Sequence, residues 1–263
     1  MFRKVLKLGL AAALALTLGM SSASADVLVT GSGTVQNDAV SASANFHVDQ
    51  SGNLVITLTN TAADTPHNSA VLSNIEFNLN SGVSFSGAGS VVVGPGSALF
   101  NSGGQVGGAG TDISGGYGLG TNVTFMGTPQ TQFGVSSVSF TSGNLVNGSP
   151  IGGGPFLGNH GNSLDGTDYG ILANGADSGN NGITNNGPFA ANSVVITLVS
   201  TGSAIDLSQL NSVFFSCGSE QVGVGGGFIP AVPAPPSVLL LGIGGLCLAA
   251  FLVRPRRRLA AAA

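Results

Sequence analysis

Between Lys7 and Arg254 this chain of 263 residues contains no lysine and no arginine. All seven basic residues fall at the two ends: Arg3, Lys4 and Lys7 at one, Arg254, Arg256, Arg257 and Arg258 at the other. The stretch between them holds all eleven acidic residues and the three histidines. It repels phosphate backbones and offers them no counter-ion, which excludes nucleic-acid binding as a function class. It also lacks the side chains that clamp phosphates and carboxylates. Tryptophan is absent and tyrosine occurs only at Tyr117 and Tyr169, so the aromatic platforms of a sugar-stacking or sugar-cleaving cleft are missing. Of the two cysteines, Cys217 sits in the middle stretch and Cys247 in a terminal apolar run. Nothing resembling a disulfide framework results, and Cys217 reads as a buried free thiol.

What is present begins with the ends. Residues 1–25 read as a signal peptide: a basic start, an apolar core over 8–18, and the small residues Ala23-Ser24-Ala25 as a cleavage site before Asp26. At the other end, 237–253 is uncharged, and as a helix it would reach about 25 Å, just enough to span a bilayer core. The arginine cluster after it, 254–258, is a basic stop that keeps the C-terminus cytoplasmic and places everything before Pro233 outside.

The middle, 26–222, has almost no helical periodicity and is dense in Gly, Asn and Ser. It reads as short strands joined by turns. Residues 27–30 form an edge strand; 41–48 and 54–59 form a hairpin around the turn 49–53, with Ala42, Ala44, Phe46 and Val48 on one face. Residues 71–79 read as a half-buried strand, and 83–85 and 90–93 as two short strands jointed by Gly87 and Gly89. Glycine dominates 101–120, which is expected to be a loop or a disordered insertion. Strand signals resume at 122–126, 135–140, 193–200 and 211–217, with one helical turn at 207–210 capped by Asp206. Residues 223–232 read as a Gly/Pro linker. Eight to eleven short strands predict an all-β fold: one antiparallel β-sandwich or jelly-roll-like domain with Gly/Asn-rich loops.

Candidate chemistry is sparse. His47, His67 and His160 are far apart, without the close pair a metal site usually shows, and read as scattered surface residues. No nucleophile elbow occurs. An anchored hydrolase would have to use carboxylates such as Glu76 or Glu220. No catalytic residue and no cofactor is assigned. The glycine runs lack the lysine of a phosphate loop. Asp165, Asp168, Asp177 and Asn181 are weak calcium candidates, since alternating Asp and Asn oxygens around glycine suit a hard cation; solvated Asn/Asp turns are the plainer reading. Asn122-Val123-Thr124 and Asn147-Gly148-Ser149 match a glycosylation sequon, which chance readily supplies in so Asn-rich a chain.

The order Val232-Pro233-Ala234-Pro235, apolar helix over 237–253, then Arg254, Arg256, Arg257 and Arg258 resembles the PEP-CTERM sorting signal of bacterial surface proteins. The strand patterns Gly52-Asn53-Leu54-Val55-Ile56 and Ser193-Val194-Val195-Ile196 look like those of exosortase-dependent surface domains. The resemblance implies a sorting signal over 233–258, recognised by exosortase, a membrane protease-transpeptidase that releases or transfers the protein. The family's central Glu is Ala234 here, and Pro255 interrupts the arginine run. The expectation is therefore a non-enzymatic exported protein, cleaved between Ala25 and Asp26, held transiently in the inner membrane with its C-terminus cytoplasmic, then delivered to the cell surface or extracellular matrix, with a surface polysaccharide as a further partner. The alternative is a calcium- or carbohydrate-dependent adhesion module anchored at the membrane.

Overall fold

In the computed structural model the described residues are 26–125, 128–157, 168–173, 187–218 and, for the backbone, 223–227. They are all-β, with fifteen strands and four short 3-10 turns. The expected signal peptide, the sorting motif, the apolar helix and the basic stop lie outside the described residues. Among the described residues no helix is long and apolar enough to cross a membrane.

One sheet runs in the order β5 (Phe85–Val93), β13 (Ser193–Ser200), β3 (Leu54–Asn60), β2 (Asp38–Val48), β1 (Val27–Val35). The other contains β10 (Ser142–Leu145), β8 (Gly118–Thr124), β9 (Thr131–Ser136), β4 (Leu72–Asn78) and β14 (Asn211–Cys217), paired in that order. A branch of β11 (Ile171–Leu172), β12 (Phe189–Ala191), β6 (Ala98–Asn101) and β7 (Gly104–Gly108) leaves β4 at Leu72, and β11–β12 is its one parallel pair. The inner faces pack sandwich-like on one core. Alternation decides which side chains enter it: Val40, Ala42, Ala44 and Phe46 from β2, Leu54, Ile56 and Leu58 from β3, Val194, Ile196 and Leu198 from β13. Phenylalanines from both sheets interlock, with Phe85 and Phe133 at 4.9 Å between centroids and Phe77 and Phe133 at 5.8 Å.

The β2–β3 hairpin, β13 and β14 match the sequence reading closely. So does the turn at Leu207–Gln209, where the Asp206 carboxylate accepts the Ser208 N–H at 3.0 Å. Five expectations are corrected. The first strand runs on to Val35 through Gly31-Ser32-Gly33, because a two-residue turn with Gln36 at φ 50° and Asn37 at φ 75° keeps β1 in register with β2. The two short strands around Gly87 and Gly89 are one continuous strand, β5. The expected loop at 101–120 contains β7, a 3-10 turn at Ser114–Gly116 and the start of β8; backbone pairing to β6 and β9 orders it where side chains give no period. β4 is buried on both faces, not half-buried: Ser73, Asn74, Ile75, Glu76 and Phe77 are each at most 1% exposed. Finally Gly223–Gly227, expected to open a linker, forms β15, whose backbone pairs with both β1 and β14 and so joins the two sheets along one side.

Candidate functional site

The second face of β4 is where the fold departs most from a plain sandwich. Register sets Glu76 beside Gly134 of β9 and Phe214 of β14, and Asn74 beside Ser136 and Ser216. Beyond Gly134 lies Gly120 of β8. The absence of side chains at Gly120 and Gly134 lets the ring of Phe140 lie on this face: a Cβ at Gly134 would come within 2.8 Å of Phe140 Cε1. Asn74 and Glu76, on the same side of β4, are completely buried, at 0% exposure.

Glu76 therefore has only neutral partners. Asn74 Nδ2 donates to its Oε1 at 3.0 Å, and Oε2 lies 2.9 Å from Thr128 Oγ1. Thr128 Oγ1 also lies 2.7 Å from the Phe125 carbonyl and accepts the Phe125 N–H at 3.0 Å. The Thr128 N–H donates to Phe125 O at 2.8 Å, so this residue closes the turn that leaves β8. Asn74 Oδ1 is buried with no partner. Burial pushes the Glu76 carboxyl above the usual range, and the bonds from Thr128, Asn74 and the Phe125 backbone offset only part of that. A hydrolase would need this carboxylate to reach a substrate, whereas Glu76 is sealed; Glu220 lies outside the described residues. The signal for the cluster was in the sequence as Asn74, Glu76 and Asn78 alternating with Ile75 and Phe77, but that pattern ordinarily marks a wet face. Asn74, Thr128, Ser136 and Ser216 were not singled out.

The described histidines are brought to carboxylates and not to each other. His47 Nδ1 lies 2.9 Å from Asp26 Oδ1, and Asn45 Nδ2 donates to the other oxygen at 3.2 Å. His67 Nδ1 lies 2.9 Å from Asp38 Oδ2, which also accepts the Ser69 hydroxyl at 3.0 Å. That order, with the carboxylate between serine and imidazole, is wrong for activating a nucleophile, which needs the imidazole in the middle. His160 lies outside the described residues. Among the described residues no group of three His, Cys, Asp or Glu could hold a metal ion.

Of the calcium candidates, Asp165, Asp177 and Asn181 lie outside the described residues. Asp168 is described, and its carboxylate accepts the Gly187 N–H at 2.9 Å. Asn122 and Asn147 of the sequons are exposed, at φ 51° and 60°. Cys217 is free and buried, and burial pushes its thiol up to about 12. An open cleft of about 320 Å³ lies between Gly89, Ile151 and Leu157, with Asp112 as its acidic side chain. The Ser114 hydroxyl and N–H both donate to that carboxylate, at 2.5 and 2.9 Å, and hold it below the usual range.

No family model, curated protein or solved structure matches this chain. The functional reading therefore rests on the residues themselves. The described residues provide a sealed polar cluster, carboxylates already engaged by neighbours, and an open cleft in which the Ser114 hydroxyl is bonded to Asp112 with no histidine in the lining.

Proposed function

We propose that the chain is a non-enzymatic, exported surface or extracellular-matrix protein, with a jelly-roll-like β-sandwich as its cargo domain and the 233–258 tail as its sorting signal. The observation that carries this reading is the confinement of every Lys and Arg to the two apolar-flanked ends, which gives a signal at each end and a basic-free domain between them. The position of Asp26 supports it: the residue expected to lead the mature chain is held by Asn45 and His47, and β1 begins at Val27 immediately after it. An exosortase-type protease acting at Pro233-Ala234-Pro235 and a bilayer around 237–253 are the partners this reading requires.

Truncation tests it. A chain ending at Val232 should pass into the medium, while the full chain should be found in the membrane and surface fractions, where protease added to intact cells releases peptides from 26–222. Equal partitioning of the two chains would remove the role of the tail.

A further inference from the structure

The strand that leads the domain sets up an outward-facing pair at its first residue. Val27 stands opposite Phe46, so the register carries Asp26 opposite His47 and places Asn45 on the same outer face one step along. His47 Nδ1 lies 2.9 Å from Asp26 Oδ1, while Asn45 Nδ2 donates to Oδ2 at 3.2 Å and holds the carboxylate with Oδ1 turned to the imidazole. Both side chains of the pair are open to solvent. Asp49 is near enough for its charge to act on His47, but its own carboxylate is occupied by the N–H groups of Ser51 and Asn53. No lysine or arginine of the domain competes for Asp26, since the domain has none.

Two donors do not make a metal site, and among the described residues no third His, Cys, Asp or Glu joins this pair. Cutting the chain between Ala25 and Asp26 would supply a third donor of another kind. Before the cut the Asp26 nitrogen is an amide and a poor ligand; after it, the same atom is a free α-amine, which loses its proton near neutral pH. It is carried on the residue whose carboxylate faces His47, so the amine and Oδ1 can close a small chelate ring on an ion while the imidazole binds from the neighbouring strand. The spacing favours one geometry. Bonds of about 2.1 Å to atoms 2.9 Å apart meet at about 90°, whereas a tetrahedral ion would need those atoms about 3.4 Å apart. A right angle with nitrogen and oxygen donors suits Cu(II) or Ni(II), and of the two Cu(II) binds such donors more tightly.

We propose that removal of the signal peptide creates a binding site for a divalent copper ion at the head of the domain, with the Asp26 α-amine, Asp26 Oδ1 and His47 Nδ1 as its ligands and Asn45 as the positioning residue that holds the carboxylate. The inference rests on cleavage before Asp26, but not on any processing of the tail. The amine and the imidazole bind as neutral donors and give up their protons to solvent, the remaining imidazole proton staying on Nε2; the ion keeps its charge state and water fills its other positions. The uncut precursor has no amine at this position, so the site forms only on the exported chain.

The test titrates Cu(II) itself, against a competing chelator, into the chain from Asp26 to its end, prepared in detergent behind a removable leader that leaves Asp26 first. A second preparation that begins at Ala25 keeps every side chain and an α-amine but moves the amine one residue away. The Asp26 chain should bind one ion. The Ala25 chain and His47→Ala should each bind at least about tenfold more weakly, since even partners behind a ligand cost that much when lost; His67→Ala should bind as the wild type does. Electron paramagnetic resonance of the bound ion should show coupling to an imidazole nitrogen that His47→Ala removes, a signal that a mere surface ion pair would not give. Equal affinity for the chains beginning at Asp26 and Ala25 overturns the site, and so does copper held without His47. N-terminal sequencing of protein recovered from cells is read separately: a chain beginning elsewhere than Asp26 overturns the cleavage on which the site depends, whatever the titration gives.

Discussion

The ring of Phe46 in β2 meets the ring of Phe77 in β4 edge-on, 5.5 Å between centroids and 75° between planes, and this contact pins one sheet to the other. Both rings are fully buried. Phe46→Ala and Phe77→Ala should each lower unfolding stability by about 3–5 kcal/mol. Because they share one contact, the double variant should lose less than the sum, by about 0.5–1.5 kcal/mol. Denaturant melts of the four proteins check this, and strict additivity would mean that the rings are not coupled.

Gly89 and Gly96 both have positive φ, but their surroundings differ. At Gly89 a Cβ would run into the Thr197 carbonyl of the paired strand β13, and at Gly96 it would meet nothing within 4 Å. Gly96→Ala should lose about 1–2 kcal/mol for the left-handed backbone alone. Gly89→Ala should lose a further 1–3 kcal/mol, roughly, because backbone cannot move aside as a side chain can. Equal thermal midpoints for the two variants would contradict the assignment of Gly89 to the interior of a strand.

The β2–β3 turn is held by Asp49. Its Oδ1 accepts the N–H groups of Ser51 and Asn53, each at 2.8 Å, and Oδ2 accepts Asn53 Nδ2 at 3.0 Å. Slight burial opposes ionisation, but these bonds and the nearby His47 together hold the carboxyl below the ordinary Asp range. The stabilisation is present above the unfolded value and disappears as pH falls through the folded one. Asp49→Ala should therefore lower the thermal midpoint at neutral pH and have little effect well below the ordinary Asp range. A loss of the same size at both would assign the effect to something other than the charge.

The elements legible in the sequence were those in which one face is apolar and the other wet. β2, β3 and β13 alternate cleanly because their outer faces meet solvent, and Asp206 announced its turn by a side chain that can only cap. Glycine concealed the rest. β7 and β15 are held by backbone pairing and leave no pattern of side chains to read, and the floor beneath Phe140 is made by what Gly120 and Gly134 lack. β4 misled for the opposite reason: Asn74, Glu76 and Asn78 look like a solvent face, but Asn74 and Glu76 are fully buried and Glu76 is bonded to Thr128, distant in sequence. A carboxylate that in sequence could serve only as a candidate hydrolytic group is thus a sealed structural one.

The mass of the mature surface protein tests most directly what becomes of the two ends of the chain. Peptide mapping of protein recovered from the cell surface should find an N-terminus at Asp26 and no peptide from 254–263. Intact Arg254, Arg256, Arg257 and Arg258 on surface-exposed protein would contradict processing of the tail and with it the sorting role assigned to Pro233-Ala234-Pro235.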